Sequence, residues 1–404
     1  MQIHPNFLLS SYHFDLPEDR IAHEALAQRD QARLLVVRTK ATAKAPGHRS
    51  TNGIESYVLE HKKVADLPEL LPAGAMLVVN NTEVIRARLL GHRILKDGTI
   101  GGKVEFFLIK KVSDTEHIWQ GMMKSSAHIE PGFEFVIEGA VPEQSLKGVV
   151  LKRDEQLHQG VLYHARFDHD PTALNLGEVP LPPYIVARRK AVAPPIAAEN
   201  EWKTYNTVYS KVPGSVAAPT AGRHFTSDLI QRLKKHQITW CEVTLHVGIG
   251  TFRPVQCPDI RDHVMHPETA IVSPEVAAQI NEALQAGRPV IAVGTTSART
   301  LEGMAIGPSS EVQGARWNGS VKVAAGERDL DLFIYPHGDE GKGGHHWKVV
   351  QGLLTNFHLP ESSLLMMVSS FIGSREIALK IYEEAIRLQY RFYSYGDAML
   401  ILPE

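Results

Sequence analysis

The second half of the chain alternates apolar runs of strand length with amphipathic runs of helix length, and that alternation restricts it to a layered α/β architecture. From about Lys203 onward, SDLIQRLKKH puts Leu229, Ile230 and Leu233 on one helical face and TWCEVTLHV reads as a strand. SPEVAAQINEALQAG then reads as a helix ending at Gly287, PVIAVG as a buried strand, and TSARTLEGM as a helix start. VVQGLLTNF, PESSLLMMVSSFIG, REIALKIYEEAIRLQY and AMLILP continue as strand, helix, helix and strand. The stretch from about Met76 to Phe167 differs: MLVVN, KVEFFLIKK, HIWQGMM, FEFVI, GVVLK and GVLYHARF are short β-rich runs separated by turn clusters, with no helical pattern between them. Upstream, PEDRIAHEALAQRD has a helical pattern and RLLVVR reads as a strand. The expected fold is a discontinuous α/β domain (residues 1–65 and 178–404) with an inserted small all-β barrel domain (66–177).

With 404 residues and 43% hydrophobic side chains, the composition is that of a globular chain able to bury a core. LLMMVSSFI, among the longest apolar runs, is far short of the roughly 20 residues that span a bilayer. No membrane partner is expected. Two cysteines, Cys241 and Cys257, are too few for a disulfide framework and point to the reducing cytoplasm. A net charge of -2 supplies no global field for nucleic acid, so an RNA partner must be held by local patches. Candidate patches are Arg86 with Arg88, the triplet Arg188, Arg189, Lys190 between Pro-rich connectors, and YRFYSYGD, which carries Arg391 and Tyr395.

Three places share one design, a strand followed by a short polar turn and a helix: APTAGRHFT, GTTSART and TNFHLPESS. Helix N-termini expose unpaired N–H groups and partial positive charge, which suits carboxylates and phosphates. The competing reading is that Thr226, Thr296 and Ser362 only cap their helices. Arg223 and Arg299 are candidate anion binders, and His224, His246 and His358 can exchange protons near neutral pH. HVGIGTF resembles a Gly-rich nucleotide loop through Gly248 and Gly250, but Arg253 and Pro254 stand where a Rossmann turn needs close helix packing. The histidines of HGDEGKGGHHW lie in a loop-like insertion without a zinc pattern, so no metal is expected.

FDLPEDRIA, LVVNNTEVIRARLLG, VPLPPYI, YNTVYSKVPGSVAAPTAGRHFT, TLHVGIGTFRPV, VGTTSARTLE, TNFHLPESSLLMMVSSFIG and YRFYSYGDAMLI together resemble the S-adenosylmethionine:tRNA ribosyltransferase-isomerase family of queuosine biosynthesis, nearly end to end. The resemblance implies a transferase that uses S-adenosylmethionine as a co-substrate, without a resident cofactor. It implies transfer and isomerisation of the ribosyl group onto 7-aminomethyl-7-deazaguanine at the tRNA wobble position, giving epoxyqueuosine with loss of adenine and methionine. Such chemistry needs a base beside the sulfonium, an anchor for the methionine carboxylate, and donors assisting adenine departure. The expected base is His224 or His246. The expected substrate contacts are Thr220, Gly222, Arg223, Gly248, Thr251, Arg253, Thr295, Thr296, Arg299, Asn356, His358 and Asp397, in a chain acting as a monomer. Arg223 occupies a position commonly apolar in the family, which turns it toward RNA instead of the donor. Without the resemblance, HVGIGTF points to a methyltransferase, and the β-rich block to a non-catalytic RNA-binding protein; a methyltransferase would leave S-adenosylhomocysteine and a binding protein would consume no donor.

Overall fold

A computed structural model describes residues 3–39, 57–139, 145–154, 161–174, 176–182, 185, 198–248, 254–307, 321–338 and 343–403. The chain divides into two compact units, one of residues 1–82, 206–212 and 219–404, the other of residues 83–205 and 213–218.

The first unit is built on a nine-stranded sheet. Four strands at its centre run parallel, in the spatial order Thr239–His246, Met76–Asn80, Val290–Val293 and Gly352–Asn356. Ala398–Leu402 joins antiparallel beside Gly352–Asn356, followed by Arg33–Thr39 parallel to it and Tyr57–Lys63 at the edge. On the other side Glu268–Val272 and Gly326–Leu330 add antiparallel strands. Every residue of Met76–Asn80, Val290–Val293 and Gly352–Asn356 is buried, as parallel strands covered on both faces require. Side chains alternate between two cores. Met76, Val78, Val290, Ala292 and Leu353 pack with the helices Pro274–Gln285, Gly294–Gly303, Ser363–Ile372 and Arg375–Arg387. Leu77, Val79, Ile291, Val293 and Leu354 pack with Leu229 and Leu233 of the helix Ser227–Lys235. Each fully buried aliphatic side chain of this kind contributes about 1.5–3 kcal/mol.

Two elements differ from the sequence-based expectation. MLVVN, grouped by sequence with the β-rich block, is a central strand of the large sheet; a short apolar run has the same appearance in either setting. PEDRIAHEALAQRD forms no α-helix. It carries 3₁₀ turns at Glu18–Arg20 and Arg29–Gln31, because the backbone between them pairs instead with Phe392: the Phe392 amide donates to the Arg20 carbonyl and the Ala22 amide to the Phe392 carbonyl. Tertiary hydrogen bonds here outweigh a modest helical propensity.

In the second unit six antiparallel strands close into a barrel, in the order Leu162–Phe167, Ile118–Ser125, Ile100–Ser113, Arg88–Ile94, Glu134–Ile137 and Leu146–Asp154. Closure leaves no free strand edge. Phe106, Phe135 and Phe167 fill its interior, with ring centroids 5.5–5.8 Å apart. Gly121 and Gly148 are required beneath these rings: a Cβ would lie 2.5 Å from the Phe106 ring at Gly121 and 2.3 Å from the Phe135 ring at Gly148.

Candidate active site at the strand ends

Because the four central strands are parallel, their C-terminal ends, at Asn80, His246, Val293 and Asn356, lie along one edge of the sheet. The pairing of Asn356 with Ala398 brings Asp397 to the same edge. In open α/β sheets this edge is where ligands bind.

Asn80 and Thr82 organise one end of it. The Asn80 side chain donates to the Leu245 carbonyl at 3.0 Å and accepts from the Leu245 and Thr82 amides at 3.0 and 3.1 Å. Thr82 Oγ1 lies 2.9 Å from Nδ1 of His246 and 3.5 Å from the Val212 carbonyl. This chain is satisfied when the Thr82 hydroxyl donates to Val212 and accepts from Nδ1–H, which leaves the lone pair on Nε2 of His246. Burial holds the His246 pKa below its ordinary value, against an opposing pull from Glu327, so the ring is neutral at pH 7. A neutral imidazole with a fixed tautomer has the form of a general base.

His224 is built differently. Nδ1 faces the Ala221 carbonyl at 3.0 Å and Nε2 the Gly396 carbonyl at 3.1 Å. Burial lowers the His224 pKa, so the neutral ring carries a single N–H that one of these carbonyls accepts, and the ring sits between the turn Thr220–His224 and the segment 391–397. Arg223 strengthens the same joint: Nη1 donates to the Ser394 carbonyl at 2.7 Å, and the guanidinium lies 4.1 Å above the Tyr395 ring. Tyr395, expected to stack on RNA, is buried. Thr220 Oγ1 donates to the Asn356 side chain at 2.9 Å, and Gly222 admits the Tyr209 hydroxyl, which would lie 1.9 Å from a Cβ there.

Of the three helices that start at this edge, two cap themselves. Thr226 Oγ1 accepts from the Leu229 amide and Ser362 Oγ from the Leu365 amide. The helix Gly294–Gly303 has no side-chain cap. It starts at Gly294, whose φ of 85° is open to glycine at little cost, and the buried Thr296 hydroxyl in its first turn has no hydrogen-bond partner among the described residues. Thr295 is buried beside it. Uncapped amides and a spare hydroxyl are what a carboxylate or sugar oxygen would complete.

Several expected contacts are occupied by the protein itself. Arg299 forms a buried ion pair with Glu268, whose Oε1 also accepts from the Gly248 amide at 3.2 Å. Arg299 is therefore the counter-ion that lets Glu268 hold the end of the His246 strand, in place of a ligand for an external carboxylate. Asp397 accepts from the Arg33 amide at 3.1 Å, the Arg391 amide at 2.8 Å and Arg391 Nη2 at 3.3 Å. Arg391, expected at RNA, thus makes two of these contacts. His358 is buried with Nε2 at 2.8 Å from Thr355 Oγ1, and burial drives its pKa down to about 3. In the barrel unit Arg88 is bound by Glu178 at 2.7 Å and Glu105 at 3.0 Å, and Arg86 also has partners within the protein. Thr251, Arg253, Arg188, Arg189 and Lys190 lie outside the described residues. His345, from the loop read as a flexible insertion, is 3.1 Å from Glu302, a buried carboxylate that also accepts from the Lys348, Val349 and Val350 amides.

Burial of His358 predicts an acid sensitivity. Unfolded, its imidazole takes a proton near the ordinary value of about 6.5; folded, it stays neutral far below that. Stability is therefore full above pH 6.5 and falls as pH drops, by roughly 1.4 kcal/mol per unit from this residue. Urea unfolding at pH 7 and pH 5 should show wild type losing about 2 kcal/mol more than His358→Gln; equal losses would contradict a neutral buried ring.

Comparison with known proteins identifies the family. The family model described as queuosine biosynthesis protein matches residues 9–401. A Thermosynechococcus vestitus protein named S-adenosylmethionine:tRNA ribosyltransferase-isomerase is 42% identical, across 99% of this chain and 98% of that protein. The chain belongs to this family. It is an enzyme of the S-adenosylmethionine:tRNA ribosyltransferase-isomerase type. A family member of the same name from Nitratidesulfovibrio vulgaris is also 42% identical, with 98% of both chains covered. The crystal structure of an S-adenosylmethionine tRNA ribosyltransferase from Thermotoga maritima is 29% identical, covers 98% of this chain and 100% of that one, and superposes with a TM-score of 0.47.

Sequence reasoning missed Asn80, Thr82 and Glu268. Each had a signal. Asn80 and Thr82 are polar residues at the end of a wholly apolar run, and Glu268 opens a strand, ETAIV, whose other inward residues are apolar.

Proposed function

We propose that the enzyme transfers and isomerises the ribosyl group of S-adenosylmethionine onto 7-aminomethyl-7-deazaguanine at the wobble position of tRNA, giving epoxyqueuosine and releasing adenine and methionine. The curated relatives' names supply the donor and the tRNA acceptor. The observation that carries the site assignment is the meeting, at one sheet edge, of a neutral oriented imidazole at His246 and an uncapped helix start at Gly294.

Each step of the chemistry has a matching group there. Nε2 of His246 takes the proton from the carbon next to the sulfonium, and Thr82 fixes the ring in the tautomer that can accept it. The Gly294–Thr296 amides, with the Thr295 and Thr296 hydroxyls, receive the methionine carboxylate or a ribose oxygen. Gly248, where a Cβ would meet nothing within 4 Å, leaves room for the donor beside the His246 strand end. Thr251 and Arg253, which lie outside the described residues, come three and five positions after Gly248 in sequence and are assigned the same task. Thr220, His224, Arg223, Asn356 and Asp397 hold the neighbouring wall in place through the hydrogen bonds described above, and Gly222 makes room there for the Tyr209 hydroxyl. The acceptor amine forms its bond to the ribose carbon as that carbon's bond to sulfur breaks, which releases methionine and a proton from the amine; the glycosidic bond breaks in the isomerisation, and adenine leaves with the proton that His246 has taken.

Incubation with S-adenosylmethionine labelled in adenine and tRNA bearing the deazaguanine precursor tests this reading. Equal amounts of free adenine and modified nucleoside are expected, and S-adenosylhomocysteine with intact precursor would overturn it.

A further inference from the structure

The barrel unit carries a cleft of its own. About 400 Å³ of space lies over the strands Glu134–Ile137, Leu146–Asp154 and Leu162–Phe167, lined among others by Ile94, Glu134, Lys147, Val149, Arg166 and Asp168. Strand register explains the arrangement. Glu134 and Arg166 both pair with Val149, one from each neighbouring strand, and directly paired residues point to the same face of a sheet. Phe135 and Phe167, which pair with Gly148, fill the barrel interior, so Glu134, Val149 and Arg166 belong to its outer face. Neighbouring strands lie about 4.8 Å apart, so the backbones of Glu134 and Arg166 stand roughly 10 Å apart with Val149 between them. Asp168 is pinned at the backbone: its Oδ1 accepts from the Lys147 amide at 3.0 Å, and its own amide donates to the Lys147 carbonyl at 3.1 Å. The side chains of Glu134, Lys147 and Arg166 are exposed and make no hydrogen bond or ion pair among the described residues.

Two carboxylates and two cations share this cleft, so it holds no excess charge that would select a phosphate. We infer that it takes an unpaired guanine base of the RNA substrate, with Glu134 and Arg166 as its ligands. Guanine presents two neighbouring donors, N1–H and N2–H, which a carboxylate accepts as a pair. It also presents two neighbouring acceptors, O6 and N7, which a guanidinium fork matches. Adenine, cytosine and uracil lack the pair of adjacent donors. Val149 and Ile94, both half-buried, give the ring an apolar surface to lie on, and the space is within the size range of small-ligand clefts. Sequence-specific RNA recognition targets bases of this kind, unstacked and unpaired in loops. This inference rests on the reading of tRNA as acceptor, and it gives the barrel unit a base contact.

The test uses short uridine RNAs with guanine, hypoxanthine or adenine at a single central position, as competitors for tRNA on the full chain without donor. Hypoxanthine keeps N1–H, O6 and N7 but lacks the N2 amino group. Wild type should bind the guanine RNA about tenfold more tightly than the hypoxanthine RNA, and the adenine RNA more weakly still. Glu134→Gln should abolish the preference for guanine over hypoxanthine. Arg166→Gln should weaken both RNAs alike, because both keep O6 and N7, and preserve their ratio. Neither substitution should change the slope of log K against log salt, since neither removes a phosphate contact. Both side chains are exposed and unpartnered among the described residues, so both variants should melt at the wild-type temperature. Equal binding of the three RNAs by the wild type overturns the inference, as does a guanine preference that survives Glu134→Gln. A slope reduced by about 0.7 in Arg166→Gln makes Arg166 a phosphate ligand and overturns it too. Absence of competition by all three RNAs does the same. Adenine release by the wild type is measured independently of these outcomes, so failure of this cleft and failure of the transferase reading are separable.

Discussion

Replacing His246 by Gln is expected to lower the single-turnover rate by about 10²- to 10⁴-fold, the usual contribution of a positioned general base, with little change in thermal stability. The ring is half-buried and its one hydrogen bond among the described residues is to Thr82, so the fold has little invested in it. The pH profile should agree. Burial lowers the His246 pKa, so kcat/KM rises with pH through a limb lying below the ordinary histidine value of about 6.5 and is flat above it. That limb should vanish in His246→Gln. Thr82→Val should give a smaller fall in kcat at unchanged KM, because the ring survives but loses the acceptor that fixes its tautomer. His224→Gln should behave in the opposite way, losing stability more than rate, since both of its ring nitrogens face backbone carbonyls. A rapid His246→Gln beside a slow, well-folded His224→Gln would reverse the assignment.

The second large effect concerns the buried pair Glu268 and Arg299, whose side chains are 3% and 5% exposed. Removing one partner strands the other charge in a dry interior, which costs about 3–5 kcal/mol. Arg299→Met alone should therefore lower the urea midpoint sharply, and Glu268→Gln should do the same. The double replacement should recover much of the loss, because it leaves no unpaired charge. Activity separates the pair's two duties. With Glu268→Met in the double variant, no side-chain oxygen is left to accept from the Gly248 amide, so its KM for the donor should stay raised after stability returns. Additive losses in the double variant, measured by denaturant titration, would contradict a direct pair.

Much of the α/β unit was legible because its signals are local and strong. The helix Ser227–Lys235 has its cap at Thr226 and its apolar face at Leu229 and Leu233, and Pro274–Gln285 runs from the Ser273 cap to a chain reversal at Gly287, with φ of 66°. The strands after these helices could only be buried. What failed was non-local. MLVVN carries no mark of the sheet it joins, and the stretch before Arg33 follows Phe392 instead of its own periodicity. The site shows the same division. Junctions, and the histidines near them, were visible as motifs, but sequence could not show that His224 lies between two backbone carbonyls, that Arg299 is consumed by Glu268, or that two of the three helix starts are self-capped. Those distinctions depend on which residues from distant segments share one edge. They separate His246 from His224 and the helix start at Gly294 from its two neighbours.

The most direct test of His246 at the strand ends as the base is exchange at the carbon it deprotonates. S-adenosylmethionine carrying deuterium at the ribose carbon bonded to sulfur, incubated with wild-type enzyme and precursor tRNA and recovered before completion, should lose deuterium to solvent or show a primary isotope effect on adenine release. His246→Gln, folded and still binding donor and tRNA, should show neither. Retention of wild-type exchange in that variant would contradict the account and return the proton transfer to another group.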